Sequence, residues 1–62
     1  MLLEIISTDM EFFAYENVVW FKTERDKYGN KVYKIVWKNK ENIEMTDFLY
    51  CSEVADFNLS TE

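Results

Sequence analysis

The 62-residue sequence contains no histidine, no proline, one glycine and one cysteine. Without histidine, no side chain has an ordinary pKa between about 5 and 8, which removes the usual acid–base catalyst at neutral pH. A single cysteine excludes an intrachain disulfide and the common zinc frameworks. A single glycine, Gly29, excludes the glycine-rich loops that bind phosphate groups. The sequence therefore predicts a protein that is not an enzyme and that uses no metal or cofactor.

The cysteine itself is predicted to be inert. Asp47, Glu53 and Asp56 are close to Cys51 in the sequence. These carboxylates disfavour the thiolate, which is the reactive form of the side chain. We therefore expect Cys51 to be buried and to have no catalytic role.

Long apolar runs are also missing. The longest have four residues, at 12–15, 18–21 and 48–51, whereas a membrane-spanning helix needs about 20. The N-terminal segment carries Glu4 and lacks the basic start of a secretory signal. We expect no membrane association and a cytoplasmic location, in the producing cell or in a host. Residues with AT-rich codons occupy 27 of the 62 positions, which indicates a low-GC bacterium or one of its phages.

Aromatic residues are plentiful in what we expect to be a single small domain, residues 1–62. The chain has two Trp, four Tyr and five Phe, and a large aromatic side chain buries about 150–250 Å². A domain of this size hides only about 60% of its unfolded surface. The surplus of aromatic area predicts self-association through a sheet edge or a helix face, as a homodimer.

Charge is segregated along the chain. Residues 1–21 carry four acidic and no basic side chains, residues 22–40 carry all seven basic side chains with two acidic ones, and residues 41–62 carry six acidic side chains. The formal net charge of −5 is therefore the sum of a basic middle segment and two acidic flanks.

The basic middle segment has the pattern of a β-hairpin at residues 17–38. Two stretches rich in β-branched and aromatic residues flank a turn that contains Gly29. A type I turn with Gly29 in the left-handed region, followed by a bulge, pairs Phe21 with Ile35 and Lys22 with Lys34. The face expected to join the core contains Val19, Phe21, Thr23, Tyr33, Ile35 and Trp37. The opposite face contains Val18, Trp20, Lys22, Glu24, Val32, Lys34, Val36 and Lys38.

Around the hairpin the sequence predicts a small α+β fold. Residues 2–8 suit an N-terminal strand, and residues 43–45 suit a third strand of the hairpin sheet. Helical spacing of apolar residues predicts one C-terminal helix at about residues 47–57, packed on a three- to four-stranded antiparallel sheet. Residues 9–16 fit a short helical turn or a strand equally well. The alternative fold is an all-β SH3- or OB-like barrel in which residues 47–57 are extended.

The missing catalytic groups, the surplus aromatics and the acidic flanks favour a non-enzymatic protein-interaction module. We expect a small acidic regulator or inhibitor of a larger protein, encoded by a phage or mobile element of a low-GC host. The candidate partner-binding residues are Trp20, Lys22, Lys34 and Lys38 on the hairpin, Tyr28 at its tip, and Glu44, Asp47, Glu53 and Asp56 in the C-terminal flank.

Two other functions stay open. The hairpin, at residues 20–38, has an aromatic ring among lysines, as in sheets that bind single-stranded nucleic acid, although the net charge of −5 opposes attraction to phosphate. The third candidate is a structural subunit of a homo-oligomer. The facing lysines also need an acidic neighbour or an anionic partner. We expect Glu4, Glu44 or another carboxylate of the flanks to supply the negative charge, while the N-terminal segment or the helix covers Trp20.

Overall fold

The computed structural model describes residues 1–61, which form six β-strands and one short 3-10 turn. The strands are β1 (Leu2–Ser7), β2 (Phe12–Tyr15), β3 (Val18–Arg25), β4 (Lys31–Lys38), β5 (Glu44–Tyr50) and β6 (Val54–Ser60). All neighbouring strands are antiparallel. They make two three-stranded sheets, a first sheet ordered β2-β1-β6 and a second sheet ordered β3-β4-β5. The fold is therefore all-β.

The predicted C-terminal helix is wrong, and with it the α+β class. Residues 47–57 instead complete β5, form the 3-10 turn Cys51–Glu53 and begin β6. The 3-10 turn breaks the alternation of inward and outward side chains between β5 and β6. As a result, the apolar residues on both sides of the turn have the spacing expected of an amphipathic helix. The C-terminal segment is also extended because it pairs with the second edge of β1, from Leu2↔Ser60 to Ser7↔Val54. The all-β alternative had the right class, but the strands form two sheets and not one closed barrel.

The central hairpin is confirmed. Strands β3 and β4 pair Phe21 with Ile35 and Lys22 with Lys34, and Gly29 has a φ of 84° in the connecting turn. The pairing shifts between Val18 and Trp20, and this bulge places Val18 in the core. Val18 is 4% exposed and Val19 is 43% exposed. The predicted core position of Val19 is therefore wrong, because the bulge reverses the order of faces at the start of β3.

The core lies between the two sheets. Leu3 and Ile5 of the first sheet form one buried cluster with Val18 and Ile35 of the second. Aromatic rings also meet across the sheets, at 6.0 Å between the centroids of Tyr15 and Trp37 and at 5.2 Å between those of Phe21 and Phe57. This packing buries one face of each sheet, and the opposite faces are available to solvent or partners.

Three hairpin turns share one geometry. In each, the first backbone N–H donates to the fifth residue's carbonyl, as in Asp26–Asn30 at 2.9 Å, and a residue with positive φ stands fourth. That residue is Gly29 in one turn, and it is Met10 or Asn42 in the others. Residues 9–16, which the sequence left open, contain the turn with Met10 and then β2.

Candidate interaction surface

The face of the second sheet that points away from the first sheet is a continuous surface, which we call the lysine–aromatic face. The register of the strands determines which residues are neighbours on this face. Trp20 lies beside Val36, and Lys22 lies beside Lys34. On the other side, β5 extends these rows with Thr46 and Phe48. The whole face consists of Trp20, Lys22, Glu24, Val32, Lys34, Val36, Lys38, Glu44, Thr46, Phe48 and Tyr50.

Two lysines lie over the aromatic rings of this face. The Nζ atom of Lys22 is 4.9 Å from the centroid of the Trp20 ring, and that of Lys34 is 5.3 Å from the same centroid. Lys34 also lies 5.7 Å from the centroid of Phe48. Each such contact contributes about 0.5–1 kcal/mol at an exposed site. The lysine stems and ammonium groups therefore cover part of the ring surface.

Glu24 supplies the negative charge that the facing lysines need. Its Oε1 atom is 3.2 Å from Nζ of Lys22 and 4.0 Å from Nζ of Lys34. The sequence predicted a carboxylate from the flanks, such as Glu4 or Glu44, and this prediction is wrong. Glu24 belongs to β3 itself and shares the face with both lysines, because residues two apart on a strand point the same way.

The large side chains of this face bury two valines that lie between them. Val32 and Val36 are 7% and 1% exposed. Phe48 and Tyr50 remain 57% and 46% exposed. Trp20 is half-buried and has Lys22 and Lys34 over its ring, whereas the helix that was expected to cover it does not form. Toward the hairpin tip the face continues into a groove of about 520 Å³, lined by Glu24, Arg25, Asp26, Val32, Phe48, Leu49 and Tyr50.

The predicted site residues do not all lie together. Trp20, Lys22 and Lys34 share the centre of the lysine–aromatic face, with Lys38 and Glu44 paired at one end. The others lie elsewhere: Tyr28 is at the hairpin tip, Asp47 lies opposite Ile35 on the inner face, Glu53 is in the 3-10 turn and Asp56 is on β6.

Sequence reasoning missed Phe48 and Tyr50 as members of this surface. They were assigned to the predicted helix, whereas in β5 they alternate with the inward Asp47 and Leu49. The period-2 alternation of residues 47–50, with aromatic residues at every second position, was the available signal.

The first sheet has the opposite electrostatic character. Its strands carry Glu4 and Asp56 and no basic residue, whereas all seven basic residues lie in β3, β4 and the loops next to them. A groove of about 360 Å³ opens between the sheets, and its lining includes Asp9, Glu11 and Glu53. The two sides of the molecule therefore offer surfaces of unlike charge.

Within residues 1–61 there is no group of three or more side chains that could hold a metal ion. In the same part of the chain, no helix is long and apolar enough to cross a membrane. Comparison with protein-family models found no match, and comparisons with curated proteins and with solved structures also found none.

Proposed function

We propose that this protein is a non-enzymatic protein-interaction module, a small acidic regulator or inhibitor that binds a larger protein. Its contact surface is the lysine–aromatic face of the second sheet. The observation that carries this proposal is the exposure of Phe48 and Tyr50, at 57% and 46%, beside Trp20 and two lysines. Aromatic residues at the centre of a contact surface supply most of the energy in many protein–protein interfaces.

The chemistry of this face suits a partner with both apolar and acidic groups. The rings of Phe48 and Tyr50 give apolar area next to the groove of about 520 Å³. Lys22 and Lys34 supply ammonium groups that can exchange Glu24 for carboxylates of the partner. Such charges at the margin of an interface set its orientation and its association rate more than its affinity.

A binding experiment with matched variants tests this proposal. Immobilised protein is exposed to lysate of a low-GC bacterium, and the captured proteins are quantified for the wild type, Phe48→Ala and Phe12→Ala. Phe12 is 61% exposed and lies on the first sheet, so its loss matches that of Phe48 in size and exposure. We expect a stoichiometric partner that wild type and Phe12→Ala retain and that Phe48→Ala loses.

The proposal fails if no stoichiometric partner is captured. It also fails if Phe48→Ala and Phe12→Ala bind the partner equally, because the lysine–aromatic face would then have no special role. Circular dichroism of both variants checks that each keeps the β fold.

Single-stranded nucleic acid is the second candidate ligand. It is favoured by one observation, the position of Trp20, Phe48 and Tyr50 with two lysines on one sheet face, where bases could stack and phosphates could bind. Against it, Glu24 neutralises part of the lysine charge at 3.2 Å and 4.0 Å, and the lysines cover the ring faces. Fluorescence anisotropy with a labelled oligonucleotide at about 50 mM salt would detect such binding, and Trp20→Ala should abolish it.

A further inference from the structure

Strand β3 forms one edge of the second sheet. Among residues 1–61 it pairs with β4 on one side, and no strand pairs with its other side. The N–H of Asp26 donates to the carbonyl of Asn30, and by the alternation of an antiparallel ladder the backbone of Lys22 and Glu24 also points to β4. The backbone groups of Phe21, Thr23 and Arg25 therefore point outward.

We propose that this edge pairs with β3 of a second copy, forming a two-fold symmetric dimer with a continuous six-stranded sheet. An exposed row of N–H and C=O groups is a template for such pairing. A two-fold axis makes the same strand its own antiparallel partner. Whether the pairing is favourable then depends on which side chains the register brings together.

Charge selects the register. If the two-fold axis passes at Lys22, the lysines of both copies face each other directly, which is destabilising. If it passes at Thr23, Lys22 of each copy faces Glu24 of the other. These are positions without backbone hydrogen bonds between them, where facing side chains come closest. The pairing then contains two complementary ion pairs.

The start of β3 argues against a third register, with the axis at Phe21. That register would extend the pairing to Asn17 and Val18. The N–H of Val18 already donates to the carbonyl of Met1 at 2.9 Å, and the carbonyl of Asn17 accepts from Lys38 at 3.1 Å. The register at Thr23 uses only the open part of the strand.

The dimer would double the surface for a partner without covering it. Trp20 projects from the sheet face, whereas the pairing uses the backbone of the strand edge and the side chains of Lys22 and Glu24 next to it. The two lysine–aromatic faces would therefore join into one. This inference does not depend on the proposed function, because the two are tested separately. Edge pairing is measured by the mass of the protein in solution, and partner binding is measured by capture of a partner from lysate.

Analytical ultracentrifugation of the full chain tests the dimer. We expect the wild type to shift from one copy, 7.5 kDa, to twice that mass as the concentration is raised. Thr23→Pro removes the outward N–H at the proposed axis and leaves the ladder with β4 intact, since proline is tolerated where the N–H of an edge strand faces away. This variant should stay at the mass of one copy.

Two further sets of variants keep the test decisive. Thr46→Pro makes the same change on the opposite edge, in β5, where the N–H of Thr46 also points away from β4; it should dimerise like the wild type. Lys22→Glu should abolish the dimer, and Lys22→Glu combined with Glu24→Lys should restore it because the charges remain complementary. A wild type that keeps the mass of one copy at every concentration overturns the proposal. Dimerisation of Thr23→Pro, or failure of the double variant to restore it, also overturns it.

Discussion

Tyr15 of β2 on the first sheet lies close enough to Asp47 of β5 on the second for the Asp47 carboxylate to act on the Tyr15 hydroxyl. Burial, followed by the polar interaction with the nearby Asp47 carboxylate and by its negative charge, raises the pKa of Tyr15 from 10.0 to about 12. The pair joins an edge strand of the first sheet to an edge strand of the second. Asp47, a residue that the sequence suggested for partner binding, lies opposite Ile35 on the inner face of the second sheet.

The raised pKa of Tyr15 predicts a loss of stability in base. The folded state favours the neutral hydroxyl, so its contribution is complete below the unfolded pKa of 10.0 and is lost as the pH rises toward about 12. Tyr15→Phe has no hydroxyl to ionise. We expect its free energy of unfolding to fall less than that of the wild type over this range, in urea titrations at a series of pH values.

Tyr28→Phe is the matched control for that experiment. Tyr28 lies at the hairpin tip and is 76% exposed, so its variant should follow the wild type at every pH. Equal pH dependence of Tyr15→Phe and the wild type would contradict the role assigned to the Tyr15–Asp47 pair.

The bulge in β3 predicts unequal costs for two adjacent valines. Val18→Ala removes two buried carbon atoms and should lower the free energy of unfolding by about 1.6 kcal/mol, at about 0.8 kcal/mol per buried methylene. Val19 is 43% exposed, and Val19→Ala should change stability by less than about 0.5 kcal/mol. Chemical denaturation of both variants measures the difference. The reverse order would show that β3 pairs without the bulge.

The sequence was sufficient to predict the hairpin because its signals are local. Gly29 sets the turn, and the alternation on both sides of it sets the register of Phe21 with Ile35. The same register placed Trp20, Lys22 and Lys34 on one face. These relationships depend only on the residues on either side of one turn. The bulge at Val19 was not predicted, because no residue type in this part of the sequence indicates a bulge.

The C-terminal half was not predictable by the same means. Strands β5 and β6 belong to different sheets, and the turn Cys51–Glu53 between them breaks the alternation. Pairing of β6 with β1 joins the two ends of the chain, and local pattern does not report such a contact. For the same reason Phe48 and Tyr50 were not assigned to the lysine–aromatic face, although they provide its most exposed rings.

Met10 is predicted to be a destabilising residue in its turn. It has a φ of 67°, in the left-handed region that costs a side chain with a Cβ atom about 1–2 kcal/mol, and it is 82% exposed. Met10→Gly removes this strain and little packing. After the greater entropy of glycine in the unfolded chain is counted, we expect a gain of about 0.5–1 kcal/mol in thermal or urea unfolding.

Gly29→Ala is the converse change in the equivalent turn. Gly29 has a φ of 84°, and an added Cβ atom would meet no atom within 4 Å. The cost of the alanine is therefore conformational alone, and we expect about 1 kcal/mol of destabilisation. A stabilised Gly29→Ala, or a destabilised Met10→Gly, would contradict the shared geometry of the two turns.

Glu24 is expected to limit the attraction of the lysine–aromatic face to phosphate. Glu24→Gln leaves Lys22 and Lys34 without their carboxylate, at 3.2 Å and 4.0 Å. Two freed lysines that bind phosphates of a single strand should steepen the dependence of log affinity on log salt by about 1.4. Fluorescence anisotropy with a labelled oligonucleotide at several salt concentrations measures this slope. Glu11→Gln makes the same change in net charge away from both lysines, and equal slopes for the two variants would show that Glu24 does not control the charge of this face.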